Sequence, residues 1–247
     1  MSLQLIKLSK QYDNSQSHTL HEIDLQIEDG EFICIVGASG CGKSTLLNLV
    51  AGLEQPTGGK ILLDGEEIKG PGADRTVMFQ EHGLFPWLNV IQNVTFGMKL
   101  AGVPKEEREE KALHYLKMVH LEEYKDYPIH QLSGGMRQRT ALARALTMDS
   151  KILLMDEPFS ALDKQTSNHL REELQQIWME TGRTILFITH SVEEAVYLAD
   201  RVVALSPSTA QIAGIIPIEL ERPRHIYDPE FVEYRHQILE LVREEHF

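Results

Sequence analysis

Apolar and polar residues alternate along positions 3–8 and again along 23–27, the period-two pattern of strands with one buried face. After a turn at Asp29 and Gly30, positions 32–36 are apolar without a break, as in a parallel strand covered on both faces. That run stops at a glycine-rich loop, and positions 44–51 continue as a helix. Positions 61–63 read as a strand ending in an Asp64-Gly65 turn, and positions 76–79 as a short strand leading into Gln80.

The period then changes. Positions 90–100 predict a helix, and Pro104 opens another, where Glu107 and Lys111 are spaced to pair and Leu113, Leu116 and Val119 recur on one face. The stretch 80–150 is thus mostly helical, flanked by strand-rich segments, which predicts an inserted helical subdomain. Positions 152–155 and 184–188 are two more buried strands separated by a helix over 164–180, and this alternation implies an α/β sheet. Strands over 201–205 and 211–215 and an amphipathic helix over 230–245 complete the chain. The implied organisation is one domain over 1–247. Its core and β subdomain span 1–80 and 151–220, its helical subdomain 81–150 and its helical tail 221–247.

Composition narrows the function. At 247 residues and 42% hydrophobic the chain can bury a substantial core. It has no window near the roughly 18 apolar residues of a membrane span, and its opening residues turn polar too soon for a signal peptide. The chain is therefore expected to stay in the cytosol. A net charge of -13 argues against a broad nucleic-acid surface, which needs clustered Lys and Arg, so no nucleic-acid partner is expected. Cys34 and Cys41 lack neighbours that would suggest a zinc site or a disulfide framework and are expected to be thiols.

Three motifs carry chemistry. Gly37, Ser39, Gly40, Cys41, Gly42, Lys43, Ser44 and Thr45 lie in a G-x-x-x-x-G-K-[ST] phosphate loop between a strand and a helix. Its backbone N–H groups and helix N-terminus suit phosphate oxygens, Lys43 reaches the β and γ phosphates, and Ser44 can ligate Mg2+. Asp156 and Glu157 end a buried strand, where an α/β sheet presents ligand groups. An Asp-Glu pair alone is equally a solvated strand end. Beside Lys43, Asp156 is expected to hold Mg2+ and Glu157 to polarise the attacking water. The third motif is Leu132-Ser133-Gly134-Gly135-Met136-Arg137-Gln138-Arg139 at the start of a helix running to about Met148. Taken alone its serine is as readily a helix cap.

Together, L-S-G-G-x-x-Q-R after a phosphate loop and before D-E-P resembles the signature of ABC ATPases, over essentially the whole chain. The resemblance implies a P-loop NTPase (RecA-like) α/β core with an antiparallel β subdomain and an inserted α-helical subdomain, and ATP as the nucleotide. It implies that Ser133 and Gly135 act on the nucleotide held by the opposite subunit of a head-to-tail homodimer. It also implies that Tyr12 stacks on adenine and that Gln80 touches Mg2+ and water. In the same family His190 bonds the γ-phosphate and orders water with Glu157, while Asp163, in the Ser160-Ala161-Leu162-Asp163 loop, organises the dimer interface.

Leu84, Phe85, Pro86, Trp87 and Leu88 follow Gln80, Glu81 and His82 as an exposed apolar and aromatic loop, of a kind a lone soluble domain rarely leaves bare. In transporter ATPases this region grips a coupling helix of the membrane permease; the alternative is that the aromatics pack back on their own helical subdomain. The residues from Gly72 to Arg75, then Phe79-Gln80 and Leu84 to Trp87, with Arg222-Pro223-Arg224, resemble the importer branch for nitrate, sulfonates, taurine, bicarbonate and thiamine-precursor pyrimidines. Thr76 and the stretch 206–211 depart from that branch. The expected role is that of a peripheral ATPase on the cytoplasmic face of the cell membrane, working with permease subunits and a solute-binding protein. Ending at Phe247, the chain is expected to lack the regulatory domain of longer sugar-importer ATPases. Non-transport ABC ATPases of DNA repair or translation commonly carry two ATPase units or long coiled coils, and this sequence has neither.

Overall fold

The strands sort into two sheets according to their hydrophobic pattern in a computed structural model, which describes residues 1–13, 17–80 and 83–243. The half-buried strands β1 (Leu3–Lys10), β2 (Leu20–Ile27) and β4 (Gly58–Leu63) and the short exposed β5 (Glu66–Glu67) form an antiparallel sheet in the order β2-β1-β4-β5. The apolar runs β3 (Phe32–Val36), β7 (Ile152–Asp156), β8 (Thr184–Ile188) and β9 (Arg201–Leu205) join β6 (Arg75–Met78) and β10 (Ile212–Pro217) in a second sheet. Its order is β10-β9-β3-β8-β7-β6, parallel except for β10.

Both faces of the six-stranded sheet are covered, which is why its central strands read as unbroken apolar runs. Ile33, Ile35, Leu154 and Leu186 pack with α1 (Lys43–Ala51) and the inner face of the antiparallel sheet. Phe32, Cys34, Val36, Met155 and Phe187 face a second cluster. That cluster draws on α2 (Val90–Leu100), α3 (Lys105–Met118), α4 (Gly134–Leu146), α5 (Lys164–Thr181), α6 (Val192–Leu198) and α7 (Pro229–Arg243). Each such fully buried side chain contributes about 1.5–3 kcal/mol. The helices between β6 and β7 thus share a core with the sheet.

Several local expectations shift. The alternation over 3–8 is interrupted by a bulge at Lys7, whose φ is 46°, so that Leu5 and Leu8 both turn inward despite opposite parity. Phe79 lies beyond β6 and is 47% exposed. Pro104 is the residue before α3 rather than its first. Lys111 pairs with Asp149 instead of Glu107, because a neighbouring element offers a carboxylate within reach. α6 carries no long period and is absent from the sequence-based reading, although Ser191 and Glu194 have the S-x-x-E spacing of a helix start. Residues 244 and 245, included in the expected last helix, lie outside the described residues. Among the described residues no helix is long and apolar enough to cross a membrane.

Arg222 and Arg224, read from sequence only as branch markers, brace the end of α6. The Arg224 guanidinium, 3% exposed, donates to the carbonyls of Val196, Ala199, Ile218 and Leu220 at 2.6, 2.7, 3.2 and 3.2 Å. Burial, with Arg222 nearby, lowers its pKa to about 10, still charged at neutrality. Arg222 donates to Leu198 O and pairs with Asp200. Replacing Arg224 with Ala strips donors from several carbonyls at once, costing about 1–3 kcal/mol for each buried carbonyl left unsatisfied, read as a lowered urea midpoint at unchanged slope.

Candidate functional site

The phosphate loop connects β3 to α1 and is shaped by Gly42, which precedes the helix at φ 97°. A Cβ there would sit 2.7 Å from Thr19 O and 2.9 Å from Leu20 Cδ2, so only glycine fits. α2, α4, α5 and α6 start with a side-chain acceptor over their first N–H groups, whereas α1, like α3, starts without one. Its N-terminal N–H groups therefore suit an anion. Lys43 is 6% exposed and its ammonium donates to Gly37 O at 2.9 Å and Ala38 O at 3.1 Å. Ser39 and Gly40 are exposed at the loop tip, while Gly37 and Cys41 are buried beneath it. Neither Cys41 nor Cys34 forms a disulfide.

The two carboxylates at the end of β7 diverge. Asp156 closes the strand, and its Oδ1 accepts the Ser44 hydroxyl at 3.3 Å. Burial raises the Asp156 pKa, opposed by the Ser44 hydrogen bond and Lys43 and reinforced by the Glu157 charge. Glu157 takes a left-handed φ of 44°, a conformation that costs a non-glycine residue about 1–3 kcal/mol. Its N–H still bonds Ile188 O at 2.9 Å, and the turn carries its carboxylate to His190 Nδ1 at 3.0 Å. His190 follows β8, immediately before Ser191 caps α6.

Serine and carboxylate oxygens suit Mg2+, which takes one or two protein oxygens and completes its shell with water and phosphate. The Ser44 and Asp156 pair fits that demand, and among the described residues no cluster of three or more His, Cys, Asp or Glu competes for a metal. Gln80 donates to Ser160 Oγ at 3.1 Å, and Ser160 in turn donates to Glu157 O at 2.9 Å. Gln80 thus joins the Glu157 side of the site rather than the Ser44 and Asp156 pair.

Ser133 caps α4 by accepting the Met136 N–H at 3.2 Å, so within one chain that serine serves as a helix cap. A Cβ on Gly135 would lie 2.6 Å from Thr166 Cγ2, at the start of α5. Asp163 caps α5, accepting the Thr166 N–H at 3.0 Å and hydroxyl at 2.7 Å, and these bonds hold its pKa below the usual carboxylate range. Ser133, Gly135 and Thr166 line one shallow cleft on the outer surface. Tyr12, 41% exposed, lies beside the loop, with its hydroxyl 3.4 Å from Thr45 Oγ1.

The aromatic loop is less bare than its composition suggests. Asn93, fully buried, accepts the Phe85 N–H at 2.8 Å and donates to Phe85 O and Asn89 O. Phe85 packs on Phe96 with ring centroids 4.3 Å apart, and Leu84 rests against the core. Trp87 projects at 75% exposure. Glu81 and His82 lie outside the described residues.

The ABC transporter family model matches residues 20–160. The chain is 52% identical to an ABC transporter ATP-binding protein of Methanocaldococcus jannaschii, over 95% of this chain and 88% of that protein. It is 49% identical to the nitrate import ATP-binding protein NrtD of Synechocystis, over 91% and 88% of the two chains. To the taurine import ATP-binding protein TauB of Pseudomonas putida it is 44% identical, over 97% and 95%. The dimeric structure of a bacterial ABC transporter cassette superposes with a TM-score of 0.76 at 30% identity, covering 89% of this chain and all of that one. A post-hydrolysis state of the same cassette, bound to ADP and Pi, gives 0.74. The chain belongs to the ABC transporter family, as a subunit that binds and hydrolyses ATP.

Proposed function

We propose that the chain powers an importer of a small solute of the nitrate, sulfonate, taurine, bicarbonate or thiamine-precursor type. In this reading it works from the cytoplasmic face of the membrane, beside permease subunits and a solute-binding protein. The observation that carries the catalytic part is the divergence of adjacent carboxylates, Asp156 toward Ser44 and Glu157 toward His190. The nitrate and taurine import relatives support the solute class.

ATP seats its phosphates on the loop of Gly37, Ser39, Gly40, Cys41, Gly42, Lys43, Ser44 and Thr45, with the adenine on Tyr12. Ser44 and Asp156, with the Gln80 side-chain oxygen as a further donor, would hold Mg2+, and the ion would supply charge neutralisation at the phosphates. Glu157 takes a proton from water as that water attacks the γ-phosphorus, and ADP leaves. His190, bonded to Glu157, steadies the γ-phosphate. Ser133 and Gly135 of one copy cover the nucleotide of the other, with Asp163 shaping the contact, so closure makes a head-to-tail dimer. The segment from Gln80 to Trp87 passes that closure to the permease.

Removing the Trp87 ring tests the permease contact. Trp87→Ala should leave the melting temperature of the isolated chain unchanged, since the ring is exposed, and should abolish co-purification of the co-expressed permease. Full retention of the permease by the variant would overturn the assignment of this loop.

A further inference from the structure

Beyond its 3.4 Å approach to Thr45 Oγ1, Tyr12 is held by groups that the hydrolytic machinery does not use. Its hydroxyl donates to Glu54 Oε2 at 2.8 Å, and the other Glu54 oxygen accepts the Asn48 side-chain N–H at 3.1 Å. Lys10 lies 3.4 Å from Glu54 Oε2, donates to Gln55 O at 2.9 Å, and sets its ammonium 4.9 Å from the Tyr12 ring centroid. Burial raises the Glu54 pKa, but the bonds from Tyr12, Asn48 and Lys10 outweigh it and hold the carboxyl below its usual range. The group is therefore an ionised acceptor at neutral pH.

The position of Glu54 in the chain gives the network its meaning. α1 ends at Gly52 in a left-handed cap, and the N–H groups of Leu53 and Glu54 both return to Asn48 O, at 2.9 and 3.3 Å. Glu54 is thus fixed to the C-terminal end of the helix whose N-terminal end carries Lys43, Ser44 and Thr45. Lys10 sets its ammonium over one face of the Tyr12 ring, and Tyr12 is 41% exposed. An exposed tyrosine loses rotamer freedom when it must wait in one orientation, and an anchor that removes this freedom beforehand strengthens binding.

We infer that Glu54 is a positioning residue for the nucleotide base, tying the Tyr12 ring to α1 so that base platform and phosphate loop keep a fixed separation. This rests on the proposed stacking of adenine on Tyr12. Ordinary surface ion pairs contribute little. Here, however, the Lys10 and Glu54 side chains are only 13% and 27% exposed, and one carboxylate serves three partners.

The test compares Glu54→Ala, Glu54→Gln and Tyr12→Ala in the full chain. ATP and inorganic tripolyphosphate, which lacks a base, serve as binding probes alongside steady-state hydrolysis. Glu54→Ala should raise Kd and KM for ATP about 3–10-fold, with kcat and tripolyphosphate affinity within about twofold of wild type. Glu54→Gln keeps an acceptor for the Tyr12 hydroxyl and should recover much of the loss. If Tyr12→Ala weakens ATP binding and Glu54→Ala does not, the inference fails while the stacking reading stands. If Tyr12→Ala itself leaves ATP binding intact, both fall. If both Glu54 variants weaken tripolyphosphate binding as much as ATP binding, Glu54 acts on α1 as a whole, and the positioning role is wrong.

Discussion

Replacing Glu157 with Gln should lower ATP turnover by about 10²–10⁴-fold, the usual contribution of a positioned general base, while leaving the Kd for ATP within about threefold. The side chains are isosteric, and the amide oxygen can still accept from His190, whose Nδ1 lies 3.0 Å from the native carboxylate. The left-handed turn at φ 44° is a backbone feature that glutamine adopts at similar cost. What is lost is a group able to accept a proton from water. Because binding survives and hydrolysis does not, the variant should accumulate as an ATP-bound dimer, visible as a doubled mass in sedimentation with ATP and Mg2+. Adding Ser133→Ala or Gly135→Val should prevent that dimer. Single-turnover hydrolysis measures the chemical step directly, and a loss under tenfold would remove Glu157 from the role of base.

Lys43→Met should act at the other step. The Lys43 ammonium is nearly buried and satisfied by Gly37 O and Ala38 O, two neutral acceptors that anionic phosphate oxygens outmatch. Methionine preserves the apolar stem that packs under the loop but presents no charge to the triphosphate. Removing one partner of such a buried ionic contact costs about 3–5 kcal/mol, or roughly 10² to 4 × 10³-fold in ATP affinity. Calorimetric titration reads the affinity, and thermal melting without nucleotide should shift by only a few degrees. Tight ATP binding by the variant would mean that the α1 N-terminus and the loop N–H groups suffice without the charge. The two variants separate binding from chemistry: Lys43→Met should empty the site, whereas Glu157→Gln should fill it and stall.

The strand runs and the phosphate loop are legible because each is contiguous: the signal for β3 is five apolar residues in a row, covered on both faces. The helices α2 and α5 are legible for the same reason, since period and caps lie within a single window. α6 is harder to read because its seven residues hold too few turns for a period, and only the S-x-x-E spacing at Ser191 marks it. The aromatic loop misleads by composition alone. Phe85 and Leu84 find partners on α2 and in the core, and the polar anchor that turns the loop inward, Asn93, looks from sequence like any surface asparagine.

The amino-acid sequence by itself determined the alternation of buried strands and helices, the loop that binds phosphate and the pair of carboxylates at a strand end. Those features follow from local stereochemistry: side-chain period, glycine conformations and the order of residues along one strand. The residue pattern implied that Ser44 and Asp156 share Mg2+, and the family resemblance that Glu157 acts with His190. Tertiary structure supplied the contacts, Asp156 to Ser44 112 positions away and Glu157 to His190 across β7 and β8, and it alone brought Glu54 to Tyr12. It also decided that Arg224 closes the end of α6. Such meetings depend on the order of strands in the sheet and on which side chains the shared core leaves room for, and no local pattern encodes either.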